Sequence, residues 1–189
     1  VVNDGSITAD ADLIFNRVMA LGCTVLSHPV NRGKGAALKT AFAWCAQHGG
    51  DTLVGVVTAD ADGQHLAADV VAVRDALAAN PDKLILGCRD FSCDDVPARS
   101  KVGNRSMSLA VKVFFGLDIS DTQTGLRGIP ARFMRELVDV RSDAYEFETN
   151  MLVEARHAGV AIAEVPITTV YDDGNAGSHF NPIRDSLRV

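Results

Sequence analysis

The 189-residue sequence has no surplus of positive charge: 18 Lys and Arg face 24 Asp and Glu, for a formal net charge of −6. That balance excludes a broad nucleic-acid coat, which needs a basic footprint. No Cys-x-x-Cys pair occurs. Cys23, Cys45, Cys88 and Cys93 lie scattered without the Cys/His spacing of a zinc site, which predicts free thiols in a reduced, cytoplasmic setting. No apolar run approaches the ~18 residues of a membrane span; the longest candidate, Leu53 to Val57, is of strand length. A signal-peptide pattern is missing, and so is an initiator Met. The chain opens Val1-Val2-Asn3-Asp4, as if a strand were already under way, and reads as a piece of a longer protein.

What is present is ordinary globular material. Hydrophobic residues make up 47% and charged residues 22%, which rules out long disorder. At roughly 150 residues per domain the length predicts one domain with a sizeable core. Without repeats or linkers, residues 1–189 read as a single catalytic-size unit, truncated at the N-terminus and at the C-terminus.

Periodicity alternates between helix and short buried strand. Thr8 caps a helix with Ile14, Val18 and Leu21 on one face, and Cys23 to Leu26 follows as a strand. A helix from Lys34 aligns Leu38, Ala41, Phe42 and Cys45 and stops at Gly49-Gly50. Leu53–Thr58 is a strand, Ala67–Ala79 a helix, and Lys83–Cys88 a strand. This β-α-β-α-β rhythm predicts a parallel sheet covered by helices. Beyond it come a helix over Ser100–Phe115, a helix opened by Pro130, a helix over Phe147–His157, and a strand over Val160–Val170. Trp44, Phe42 and Cys45 read as core, and His28 and His157 have no evident partner.

In open parallel sheets ligands bind beyond the carboxyl ends of strands. Three motifs fall there: Asn3-Asp4-Gly5-Ser6, Asp60-Ala61-Asp62-Gly63-Gln64-His65 and Gly87-Cys88-Arg89. Asp60 and Asp62 can converge on a hard divalent cation, with Gln64 as a neutral oxygen donor and open positions left for diphosphate oxygens. A solvated turn is the plain alternative. An EF-hand is excluded, because its twelfth position would be Val71. Asn31-Arg32-Gly33-Lys34-Gly35 sets cations and glycines at a helix start, where N–H groups attract phosphate. It is not a Walker loop, and a simple helix start explains it as well. Arg89, Arg105 and Arg127 are further cations, though Arg105 with Lys101 also suits a solvated helix face.

In this order the motifs Asn3-Asp4-Gly5-Ser6, Asn31-x-Gly33-Lys34-Gly35 and Asp60-Ala61-Asp62-x-Gln64-His65 resemble a family 2 glycosyltransferase. Gly87-x-Arg89 and Asp121-Thr122-Gln123-Thr124-Gly125-Leu126-Arg127-Gly128 are similar to later motifs of its polyprenyl-phosphate sugar transferases, such as dolichyl-phosphate mannose synthases. The resemblance runs from Asn3 to about Phe180. It implies a GT-A fold: a Rossmann-like mixed sheet, mostly parallel and flanked by helices, whose N-terminal strand would lie before Val1. It also implies inverting transfer from a nucleotide-diphosphosugar, UDP- or GDP-linked, to a polyprenyl phosphate, with Mg²⁺ or Mn²⁺ as cofactor. By position, Asp4 would contact base or ribose with Lys34 nearby. Asp60 would sit at donor and metal, with Asp62 and Gln64 coordinating the ion. Arg89 and Arg105 would hold phosphate, and Asp121 with Thr124–Arg127 would line the sugar site. Ser178-His179 would lie near the acceptor, as would Glu146 if it is not a helix cap.

A phosphate acceptor is ionised near neutral pH and needs positioning more than a base; a hydroxyl acceptor would need one, with Asp121 as candidate. The family's Pro-x-x-Asn-Glu turn is absent, and no arginine stands in Tyr171–His179, which leaves Arg184 as substitute. The Arg184/Arg188 tail suits a membrane surface, and so the enzyme is expected at or tethered to the inner face of a membrane. Two alternatives remain. One is a haloacid dehalogenase-type phosphatase with Asp60 as nucleophile and Asp62 as acid, against which Gln64 stands. The other is a fragment that binds nucleotide-sugar without turnover.

Overall fold

The structure, a computed structural model, describes residues 1–91 and 98–168, and of 98–102 the backbone alone. Cys93, the Tyr171–His179 stretch, Arg184 and Arg188 lie outside the described residues. The elements run β1 (Val2–Asp4), α1 (Ala9–Ala20), β2 (Leu26–His28), α2 (Lys34–His48), β3 (Gly55–Thr58), α3 (Ala67–Ala79), β4 (Leu84–Arg89), α4 (Ala98–Phe115), β5 (Arg127–Pro130), α5 (Ala131–Leu137), α6 (Glu146–His157) and β6 (Ile162–Ile167).

The α/β expectation holds, with one change of topology. β1 and β2 form a parallel pair, and a separate sheet has the order β3-β5-β4-β6. In that sheet β4 runs parallel to β6, while β5 runs antiparallel to both β3 and β4. Consecutive strands β3 and β4 are therefore not neighbours, as the βαβ rhythm predicts; the later β5 enters between them. Small residues make room for it. A Cβ on Gly55 would lie 2.3 Å from the Ile129 carbonyl oxygen, and one on Gly128 would press on Val73, Leu77 and Ile85 at 3.2 Å.

β4 is the centre of the core because both of its faces are covered. Leu84 and Leu86 join Phe42, Ile129, Phe133, Phe147 and Met151 under α2, α5 and α6. Ile85, on the other face by the two-residue alternation of a strand, meets Val73, Leu77, Leu126 and Ile167 under α3. Double coverage is why its sequence is continuously apolar rather than alternating, and each such side chain stabilises by about 1.5–3 kcal/mol.

The N-terminal unit differs from expectation twice. Thr8 does cap α1, its Oγ1 accepting the Ala11 N–H at 3.2 Å. The face expected to be buried is open, however: Ile14 is 58% and Leu21 78% exposed, and Ala11 is the buried residue of α1. Strands of three residues span only ~10 Å, too little to cover a twelve-residue helix of ~18 Å. The second strand also begins at Leu26 rather than Cys23. Gly22, at φ 84°, ends α1, and the Cys23 N–H is spent on the Val18 carbonyl at 3.3 Å, which closes the helix in the Schellman pattern.

Candidate active site

Asp4 ends β1, Asp60 follows β3 by two residues, and Arg89 ends β4, so the three motifs do sit at carboxyl ends. Because β5 is antiparallel, its first residue, Arg127, comes to the same edge, opposite Thr58 and Leu86. Glu148, in the first turn of α6, joins Asp60 through their shared partner Lys34.

The first constellation centres on Lys34. Its Nζ lies 2.8 Å from Asp60 Oδ1 and 2.8 Å from Glu148 Oε2, an ammonium shared by two carboxylates. Burial lowers the Lys34 pKa, but Glu148 and Asp60 outweigh it and hold it above the ordinary value. Asp60 is seated on Gly125, where a Cβ would fall 2.2 Å from Asp60 Oδ2. Gly125 is pinned in turn, since Thr58 Oγ1 donates to its carbonyl at 3.0 Å. Beneath them Arg127 is 1% exposed. Its guanidinium donates to the carbonyls of Thr124 (2.9 Å), Glu148 (2.6 Å) and Thr122 (3.1 Å). Burial pulls its pKa down, opposed by Glu148, Asp121 and Asp60. The structure thus places Arg127 under the 122–124 loop, with donors on backbone carbonyls.

The second constellation is Asp121, fully buried, with Arg89. Arg89 donates from Nε (2.7 Å) and Nη2 (3.1 Å) to the two carboxylate oxygens, and the N–H groups of Arg89 and Gln123 add bonds of 3.3 and 3.1 Å. Beside it opens a cavity of about 1110 Å³ lined by Arg89, Phe91, Arg105, Ser108, Leu109 and Lys112 among others. Arg105 is exposed there, apart from the Lys34 constellation, and makes no ion pair among the described residues. Ser108 Oγ is buried without a hydrogen-bond partner among the described residues.

The third is Asp4. Its oxygens accept from the N–H groups of Arg32 (3.0 Å) and Gly33 (2.8 Å), and His28 Nδ1 lies 2.6 Å away with its Nε2 2.8 Å from Thr40 Oγ1. Burial raises the Asp4 carboxyl, but these hydrogen bonds outweigh it and hold it below its ordinary value. The Asn31–Gly35 loop is therefore a helix start, and three of the N–H groups around it are spent within the chain. Asp4 takes two, and the Asp143 carbonyl takes the Ala36 N–H at 3.1 Å. Here His28 gains the partners the sequence did not reveal; a polar residue ending a strand opposite Asp4 (the register is Asp4↔His28) becomes legible only once the strands are paired.

Asp62 and Gln64 lie together on the turn after Asp60, where Asp62 Oδ1 accepts the Gln64 N–H at 3.0 Å. Among the described residues no three His, Cys, Asp or Glu side chains form a cage for a cation. The donor set still fits a Mg²⁺- or Mn²⁺-type ion shared with a ligand, which is bound by one or two carboxylates plus phosphate oxygens and water. The ammonium already on Asp60 shows this carboxylate holding positive charge. Sequence reasoning passed over Glu148 in favour of Glu146. The structure gives Glu146 a cap-like bond from the Ala144 N–H at 3.3 Å and sends Glu148 into the cleft.

The family model described as Glycosyl transferase family 2 matches residues 1–138. A UDP-N-acetylglucosamine–dolichyl-phosphate N-acetylglucosaminyltransferase of Methanococcus voltae is 30% identical over 154 residues, covering 78% of this chain and 59% of that protein. An undecaprenyl-phosphate mannosyltransferase of Micrococcus luteus is 29% identical over 151 residues, covering 77% of this chain and 60% of that protein. Among solved structures, glucosyl-3-phosphoglycerate synthase from Mycobacterium tuberculosis, in complex with Mn²⁺ and UDP-glucose, superposes with a TM-score of 0.70 at 19% identity. That superposition covers 99% of this chain and 64% of the other and shows a shared fold. The chain spans about three fifths of the length of the two curated relatives.

Proposed function

The chain belongs to glycosyl transferase family 2, and on that premise we propose that it transfers a sugar, with inversion, from a nucleotide-diphosphosugar to a polyprenyl phosphate. The observation that carries this reading is the placement of Asp4, Asp60 and Arg89 at carboxyl strand ends, with Arg89 lining a cavity of cations and apolar side chains. In the reaction an acceptor phosphate oxygen bonds to the sugar's anomeric carbon as the bond from that carbon to the diphosphate breaks. The nucleoside diphosphate leaves from the opposite face. Asp60, Asp62 and Gln64 would hold Mg²⁺ or Mn²⁺, which when bound neutralises charge on the departing diphosphate.

The residues themselves supply alignment. Arg89 is steered by Asp121, and Arg105 reaches the same cavity from α4, so both suit an acceptor phosphate. Asp121 accepts four N–H bonds and is fully buried. It serves as an anchor for Arg89 rather than a base, which favours an acceptor that is already ionised. Phe91 and Leu109 line the cavity where a prenyl chain would begin. Asp4 is proposed on the nucleotide side with Lys34, and Arg127 acts from below by fixing the 122–124 carbonyls.

The relatives' lipid acceptors favour work at a membrane surface, and α4 is the face we assign to it. Its sequence holds Arg99, Lys101, Arg105 and Lys112 and no acid, and Leu109, Val113 and Phe114 are 60%, 68% and 78% exposed. Basic, apolar helices of this kind lie on anionic bilayers. No helix among the described residues is long and apolar enough to cross one. Calorimetry with UDP and GDP, each with and without Mn²⁺, tests the donor site: one nucleotide should bind only with the ion and fail to bind Asp62→Ala. Transfer to a short-chain prenyl phosphate tests the acceptor. Equal turnover with a sugar hydroxyl acceptor would refute that part.

A further inference from the structure

Glu148 has a carboxylate that is 12% exposed and has one partner among the described residues, the Lys34 ammonium at 2.8 Å. Lys34 is itself 23% exposed and divides its charge between Glu148 and Asp60. We infer that Lys34 is an exchangeable internal counter-ion of Asp60, competing with the divalent cation for that carboxylate, and that Glu148 is the positioning residue that receives Lys34 when it leaves. This rests on the proposed metal-assisted reading of Asp60 and goes beyond it.

The argument follows from charge and burial. A largely buried ammonium with a single partner cannot give that partner up without stranding its charge, which costs several kcal/mol. With two carboxylates at equal distance, Lys34 can leave Asp60 and remain paired. Asp60 has the shorter side chain, and one side of its carboxylate is taken up by Gly125. Motion therefore falls to the lysine, whose four-carbon stem carries a compact, rotatable charge. Glu148 cannot drift away either, since its backbone carbonyl is held by Arg127 at 2.6 Å. In the unloaded site the arrangement keeps Asp60 neutralised and oriented. On loading, Lys34 turns to Glu148 and frees one oxygen of Asp60.

The test is Mn²⁺ binding, alone and with UDP or GDP present, followed by the electron paramagnetic resonance of the free ion, on wild type, Lys34→Met, Glu148→Gln and the double variant. Lys34→Gln stands in if the methionine variant does not fold. Removing the competitor should tighten Mn²⁺ binding about tenfold, and Glu148→Gln, which leaves Lys34 no second partner, should weaken it by a similar factor. The double variant decides the mechanism. If Glu148 acts through Lys34, its substitution has less than about a threefold effect once Lys34 is gone. An equal effect in both backgrounds would mean a simple field contribution and overturn the inference, as would Lys34→Met that binds Mn²⁺ no more tightly than wild type. Those outcomes leave the glycosyltransferase reading intact. A wild-type chain that binds no Mn²⁺ even with UDP or GDP present sinks the metal reading and this inference with it.

Discussion

Asp60 follows β3 and Asp121 precedes β5, yet the two carboxylates are held in opposite ways. Asp121 is fully buried and receives four N–H donors, two of them from the Arg89 guanidinium. Asp60 is about one-third exposed, rests against a glycine and shares one lysine with Glu148. The first arrangement spends every acceptor direction on fixing a neighbour, so it builds geometry. The second leaves coordination capacity in reserve, so it can exchange partners. A site that must hold an acceptor still and admit a charged donor needs one of each.

The sharpest way to break this contrast is to remove the charge at each place in turn. Asp121→Asn removes the charge to which the Arg89 guanidinium gives two of its bonds, and losing one partner of a buried pair costs about 3 kcal/mol. For a chain of this size that lowers the Tm by roughly 6–12 °C. Asp60→Asn should change stability by no more than ~1 kcal/mol, because Lys34 keeps Glu148 and the site is open to water, while metal-dependent donor binding is lost. Differential scanning calorimetry and nucleotide titration read the two effects. Equal Tm losses at the two positions would erase the distinction between anchor and exchangeable ligand.

A smaller perturbation sharpens the same contrast. Gly125→Ala puts a methyl group 2.2 Å from where Asp60 Oδ2 now lies, so the carboxylate must shift. Displacement of a positioned group by about an ångström costs on the order of 100-fold in rate. The expected result is a fall in kcat/KM of that size with the Arg89–Asp121 end unaffected, so that affinity for the acceptor phosphate stays within about twofold. Parallel losses of donor and acceptor binding would show instead that the whole 121–127 loop had moved.

Local chemistry explains which of these features were legible beforehand. The Thr8 cap, the bounds of α3 and the strand-end placement of Asp4, Asp60 and Arg89 each follow from residues within a few positions of one another, and the structure keeps them. The insertion of β5 between β3 and β4 depends on contacts between residues some 70 apart, such as Gly55 under the Ile129 carbonyl, and no periodicity signals it. The exposed face of α1 shows the converse limit: amphipathic spacing announces an apolar stripe but not the width of the sheet available to cover it. Glu148 was obscured because two glutamates two residues apart in a first helical turn look alike, and only the direction of the helix separates the cap from the one that faces Lys34. His28 waited on strand register for the same reason.

Asp4 stands between the two extremes, with His28 and two backbone N–H groups on a carboxylate that is 18% exposed, and acid titration isolates it. Burial alone would raise its pKa, but the hydrogen bonds from His28, Arg32 and Gly33 prevail and hold it below the ordinary 3.8. The folded chain then binds that proton less readily than the unfolded one. The stabilisation is complete above the unfolded value and drains as pH falls through the folded one. Lys34 is shifted upward from 10.5 by Glu148 and Asp60, so its own titration falls in alkali and stays out of the acid window. Urea midpoints for wild type and Asp4→Asn should therefore differ by a constant amount from neutral pH down to about 5, and the gap should close below about 4. A gap that persists undiminished at the acid end would mean that Asp4 holds the 31–35 loop by shape and hydrogen-bond count rather than by charge, and would place it with Asp121 as an anchor.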